Sequence, residues 1–308
     1  MRAAWLVLWL AAPVQAADLA FVTAQNGDAV AAVDLATGTV VAQADLPDAP
    51  APVAYDPATG RVHVIAADTG RLHVLDEALA PLAQADLGAG AFGLAAAGGA
   101  VFVTHWFDAR LTRLDAALRP VWTAPTGAAP AGVALSADGL TVATADRDAD
   151  QVSIFDATTG ALRHRVATAG AHPFGITFHD GRIYTADVQG DRVSVIDPVR
   201  GVLTGSVATG SHPYAVAFAA GRGFVTDQYD GTVTVFDPTT LEVLATVHVG
   251  DYPEGIAPLP DGSGVAVANW ESDSLVVLDA ASLSVTRDIA MPSGPRAFGS
   301  FTGRQVPR

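Results

Sequence analysis

The chain has 308 residues, half of them hydrophobic, which is ample for a packed core. Its 32 acidic residues outnumber its 17 basic ones, leaving a net charge of −15. Such a surface repels phosphate backbones and anionic lipid heads, and so argues against nucleic acid and membrane surfaces as partners. The count of zero cysteines excludes a disulfide framework, a thiolate metal site and covalently attached c-type haem.

The first residues read M-R-A-A-W-L-V-L-W-L-A-A-P-V-Q-A-A. One arginine precedes an apolar run too short to span a bilayer, and small residues sit at the cleavage positions. This pattern predicts a signal peptide over residues 1–16, cut after Ala16. The mature chain, 17–308, is then expected to be periplasmic or secreted, with no membrane insertion after cleavage. No later apolar run is of spanning length.

From Asp18 onward the chain repeats. A strand ending in Asp recurs at Asp34, Asp76, Asp115, Asp156, Asp197, Asp237 and Asp279, spaced 39 to 42 residues apart. One full unit, Gly170 to Thr209, holds four short apolar runs: Phe174–Phe178, Arg182–Ala186, Arg192–Ile196 and Val202–Val207. Each is rich in β-branched and aromatic residues and bounded by Gly, Asp or Pro, which predicts strands joined by tight turns. His179-Asp180-Gly181 carries a hairpin signal. Copies of about 40 residues with four strands each predict an all-β, seven-bladed propeller in one domain. The repeated Asp is expected to cap the backbone of the turn after it. The N-terminus lacks a first strand, whereas Pro292 to Phe301 is a first-strand phrase with nothing after it. The C-terminal segment is therefore expected to complete the first blade and close the ring. Thr302 to Arg308 reads as a frayed tail.

Two phrases recur across the units. The second strand carries F-V-T-A at Phe21, F-V-T-H at Phe102, I-Y-T-A at Ile183 and F-V-T-D at Phe224. A G-x-x-P-x-G-[VI] phrase enters first strands, as at Gly127–Val133, Gly170–Ile176 and Gly250–Ile256. Together they resemble the YVTN-type repeat of bacterial periplasmic propellers, the YncE-like group. The resemblance covers the whole mature chain and speaks for the fold more than for any activity.

In such a blade the loop after the second strand and the loop entering the first strand open on one face, around the channel. There the residue before the phrase proline is small in four blades but is His172, His212 and Tyr252 in three consecutive ones. Glu254 and Arg296 follow their prolines. The other loop brings His105, Trp106, Phe107, Tyr229 and Trp270 to the same face. These ten residues form the candidate ligand site, and three readings of it stay open. The histidines can be structural, bonded to neighbouring loops. The aromatics can stack on a flat small molecule, with the histidines and Arg296 fixing its polar groups. Or His105, His172 and His212 can hold a metal ion. The family resemblance implies a haem-like group as a further cofactor class, because related propellers in nitrite reductases hold a modified haem on this face. His63, His73, His164, His179 and His248 read as uninvolved. No nucleophile elbow, Walker loop or H-E-x-x-H helix is present. Rim carboxylates leave lactonase- or lyase-type chemistry open. The function expected is a module that binds a small-molecule ligand or a periplasmic partner protein, with a cofactor-dependent enzyme as the alternative.

Overall fold

The structure is a computed structural model that describes residues 16–306; the expected signal peptide lies almost entirely outside them. Short β-branched runs separated by turn residues fold as seven four-stranded antiparallel sheets. In the unit chosen above the strands run Pro173–His179, Arg182–Asp187, Arg192–Asp197 and Val202–Ala208. The first hairpin turns through Asp180 (φ 45°) and Gly181 (φ 71°). Two successive positive φ angles make the tight turn that matches strand twist.

The seven repeated aspartates sit where the third strand ends, and each caps the following turn. Asp34 Oδ1 accepts the N–H groups of Ala36 and Thr37, both at 2.9 Å. Asp156 does the same for Thr158 and Thr159, and Asp237 for Thr239 and Thr240. The end of the molecule carrying them is called the turn face here; the opposite end is the rim face.

Each blade is sandwiched between two neighbours, so its middle strands are buried on both sides. Arg192–Asp197 is buried from Val193 to Val195 and beyond, whereas the outermost strand Val202–Ala208 is mostly exposed. The first strands line the central channel, each paired within its own sheet on one side only, and the other edge of Pro50–Asp56 takes the closing segment. Glycines in the first-strand phrase mark where these strands nearly touch. A Cβ on Gly132 would lie 2.5 Å from the carbonyl oxygen of Phe174, and one on Gly175 would lie 2.3 Å from that of Tyr214. No side chain fits there.

The ring closes as expected, but with a shifted strand. Thr302–Arg304 pairs antiparallel with Asp18–Ala20. These residues are the closing strand and not a frayed tail. The reason lies in what anchors them: Arg304 pairs with Asp18 at 2.8 Å, and Tyr55 donates its hydroxyl proton to Glu77 (2.6 Å) and to the carbonyl of Arg304 (3.1 Å). The Val306 N–H also reaches Glu77. Upstream, Pro295 to Gly299 runs inward along the channel, bridging Ala24 and Pro52.

Candidate functional site

The rim face is built on one backbone feature. The residue just before the first strand has positive φ in all seven blades: Ala49, Gly90, Ala129, His172, His212, Tyr252 and Gly294. An aspartate from the preceding blade holds this bend in four of them. Asp150 accepts the His172 N–H (2.8 Å) and Asp191 the His212 N–H (3.0 Å), as Asp28 and Asp273 do for Ala49 and Gly294. The bend turns the chain from the outer strand of one blade into the channel wall of the next.

The residues after the bend plug the channel. Phe92, Phe174 and Tyr214 come from three first strands, and Phe298 from the closing segment. Their ring centroids lie 4.6 to 5.8 Å apart. Trp106 packs edge-on against Phe92 (5.7 Å), with the Arg147 guanidinium over its ring. Beside this plug lies a buried polar cluster. Arg296 Nε pairs with Glu254 Oε2 at 2.8 Å, Nη2 donates to the Tyr214 hydroxyl at 2.8 Å, and Nη1 donates to Gln25 at 2.6 Å. Gln228 donates to Glu254 Oε1 at 2.6 Å. Burial pushes the Glu254 carboxyl up against the pull of Arg296. Burial would lower Arg296, but Tyr214 and Glu254 outweigh it and keep the guanidinium charged. The pair is thus nearly self-neutralising.

Above this cluster four aromatic rings form an arc. His212 stacks on Tyr229 at 3.8 Å and 13°; Tyr229 meets Tyr252 at 5.5 Å, and Tyr252 meets Trp270 at 6.3 Å. Tyr229 is 56% exposed. Ser211 bonds His212 Nδ1 at 2.9 Å, leaving Nε2 without a protein partner. Trp270 Nε1 and His172 Nδ1 are buried with no hydrogen-bond partner, and such groups normally have one.

Of the ten candidates, the fold therefore joins His212, Tyr229, Tyr252 and Trp270 in one arc and Glu254 with Arg296 beneath it. Trp106 belongs to the plug, and Phe107 projects into solvent, 76% exposed. His172 makes no ring contact with the arc. His105 is buried, its Nδ1 facing Arg110 at 3.3 Å, and burial and then Arg110 pull its imidazole down to about 4. Among the described residues no three His, Cys, Asp or Glu side chains converge to hold a metal. The set His105, His172 and His212 is not brought together: His105 is buried beside Arg110, and His212 stacks on Tyr229. Phe92, Phe298 and Gln25 belong to this face but carry no local signal. Only the register of the first strands reveals the plug.

His105 occupies a position whose meaning the register also supplies. It pairs with the first residue of its blade's first strand, as Asp146, Asp187, Asp227 and Asn269 do in the next four blades. Read by phrase alone, Asp146, Asp187 and Asn269 fall one place too late. The three aspartates clasp the loop entering their own blade: Asp146 accepts the Gly127 N–H (2.8 Å), Asp187 that of Gly170 (3.0 Å) and Asp227 that of Gly210 (3.1 Å). Ser153, Ser194 and Thr234 add hydroxyl donors at 2.5 to 2.7 Å. Burial pushes Asp187 up to about 7 and Asp227 up to about 6, overcoming those bonds. His179, read as uninvolved, stacks on Phe218 at 3.9 Å and 1° at the turn face.

Solved structures with this fold include a functionally unknown protein from Desulfotomaculum acetoxidans, with TM-score 0.78 and 16% identity over 94% of this chain and 100% of that one. The hydrazine synthase of Kuenenia stuttgartiensis is similar with TM-score 0.74 and 17% identity over 84% of this chain and 91% of that one. The dihydro-heme d1 dehydrogenase NirN in complex with DHE gives TM-score 0.68 and 18% identity, covering 93% of this chain and 75% of that one. At these identities the likeness establishes the seven-bladed propeller and nothing finer. No protein-family model matches the chain, and no curated protein is significantly similar to it.

Proposed function

We propose that the chain is an exported propeller of the YVTN type that binds a flat small molecule on its rim face, and that it acts by binding and not by turnover. The observation that carries this reading is the arc His212–Tyr229–Tyr252–Trp270, a run of rings with Tyr229 exposed. Exposed rings already held in place lose little entropy when a ligand stacks on them. The plug beneath keeps such a ligand on the surface, and the Arg296–Glu254 pair offers it a polar floor with no net charge. Ser211 meets the His212 imidazole at 2.9 Å, but among the described residues no carboxylate bonds that imidazole to orient it as a base, which favours binding over catalysis.

A haem-like ligand suits this face: it is flat, and His212 has a ring nitrogen without a protein partner. The structural likeness to the dehydrogenase solved with DHE leans the same way as an analogy. Titration with hemin, followed by its visible absorption and by quenching of tryptophan fluorescence, tests the reading. Saturable binding is expected, weakened about tenfold or more in a Tyr229→Ala, Trp270→Ala double variant, since each lost stacking partner costs about 0.5–1.5 kcal/mol. No saturable binding, or binding unmoved by the double variant, would set the reading aside. So would sustained hydrolytic or redox turnover by the purified protein.

A further inference from the structure

The channel is closed at the rim by the aromatic plug but not at the turn face. What remains is a blind cup of about 440 Å³, whose floor includes Phe298 and whose mouth reaches Ala97, Ala137 and Pro258, all exposed. The volume lies in the range of small-molecule sites, roughly 300–1,000 Å³. Its walls are the first strands of five blades together with the closing segment, which covers the strand Pro50–Asp56 through the bond from Val53 N–H to the Phe298 carbonyl. The cup is thus made by the ring closure.

The lining is unlike the rest of the surface. None of its 25 residues is Asp, Glu, Lys or Arg, in a chain with a net charge of −15. Leu94, Val133, Ile176 and Phe218 supply apolar wall, and His179 is the one titratable lining group. His179 lies flat on Phe218, which fixes both rings, and burial lowers its basicity, while the exposed Asp180 carboxylate outside the lining lies 3.5 Å from its Nε2. Hydrogen-bonding capacity comes from the backbone of the lining first strands, each paired within its sheet on one side only, and from Ser136, Thr177 and Ser300. The lining itself offers a charged ligand no counter-ion, whereas a neutral one meets apolar walls and a free strand edge.

We infer that this cup is a second binding site, distinct from the rim, for a neutral, largely apolar small molecule that enters from the turn face. The site does not depend on the rim reading, since the plug separates the two. The probe is phenylnaphthylamine, a neutral apolar dye whose fluorescence rises out of water. Saturable binding at one dye per chain is expected. A Thr177→Trp variant, which fills the cup from its wall, is expected to weaken it at least tenfold, and Tyr229→Ala on the rim is expected to leave it unchanged. Should Thr177→Trp fail to fold, His179→Asp puts a charge at the mouth and is expected to weaken the dye about as much. Non-saturable binding, or binding lost in Tyr229→Ala but kept in the cup variant that folds, would overturn the inference.

Discussion

Three buried aspartates at equivalent places in consecutive blades show how one residue type can serve as a loop clasp. Asp146 receives four side-chain and backbone donors, spread over both oxygens. Asp187 receives two, both on Oδ2, and its Oδ1 has none. Fewer donors leave burial less opposed, so Asp187 is driven up to about 7. A carboxyl raised on folding contributes stability that is complete below its unfolded value, near 4, and is lost as pH rises through the folded value. The contributions of Asp227 and Asp187 are therefore expected to fall between about pH 4 and pH 7, against an opposite trend from His63 and His105, whose imidazoles burial pulls down to about 4. Of the turn-capping aspartates, Asp115, Asp156, Asp237 and Asp279 do not confuse this window, because their backbone and side-chain donors lower their carboxyls. Asp187→Asn keeps the shape, and Asn269 already serves at that place by donating to the Val249 carbonyl. The variant is expected to remove the Asp187 share, so that its melting temperature relative to the unmodified protein rises with pH across the window, read by thermal melts. A slope equal to that of the unmodified protein would show that Asp187 does not titrate there.

At the scale of the strand, the two repeated phrases turn out to be about contacts between blades. The threonine of F-V-T is a link: Thr23, Thr104 and Thr226 donate to the carbonyls of Ala51, Ala131 and Glu254, each in the next blade's first strand, at 2.7 to 2.9 Å. The glycine of G-x-x-P-x-G permits the approach that makes such links short. Gly132→Ala places a methyl group 2.5 Å from a backbone oxygen. It is expected to cost about 1–3 kcal/mol as the first strands are forced apart. Gly181, in open space at φ 71°, is the control; Gly181→Asn is expected to change stability by a few tenths of that, since Asn tolerates such a φ. Urea unfolding of the two variants measures the contrast. Equal losses would mean that strand approach is not what the phrase glycine serves. Both phrases were legible in the chain as repeats, but which atoms they touch was not, because every partner lies in another blade.

For the whole ring, the decisive contact joins residues near opposite ends of the sequence. Thr302–Arg304 holds the first blade, and Phe301 accepts the Phe21 N–H at 2.7 Å. Deleting residues 301–308 is expected to expose the edge of the first blade, lower the melting temperature by many degrees and promote aggregation. Differential scanning calorimetry with light scattering checks this. Unchanged melting would mean that Pro292 to Ser300 closes the ring without the final strand. The same closure narrows the channel with Phe298 and brings Arg296 to Glu254, so one segment sets the ring, the plug and the polar cluster together.

By itself the sequence determined the blade count, the strands, the capping aspartates and the fact of closure. These follow from period-two patterning, turn residues and a fixed repeat, all of which are local. It also marked the aromatic and histidine residues of the rim, because they break a repeat that elsewhere has Gly or Ala. Tertiary structure alone decided which of them meet. His212 and Tyr229 stack, whereas His105 is buried at a clasp position and His172 stands apart from the arc. It alone decided that the channel is blocked at the rim and open at the turn face. Phe92, Phe174, Tyr214 and Phe298 sit in different blades, and only the strand register and the curvature of the ring aim them at a common point.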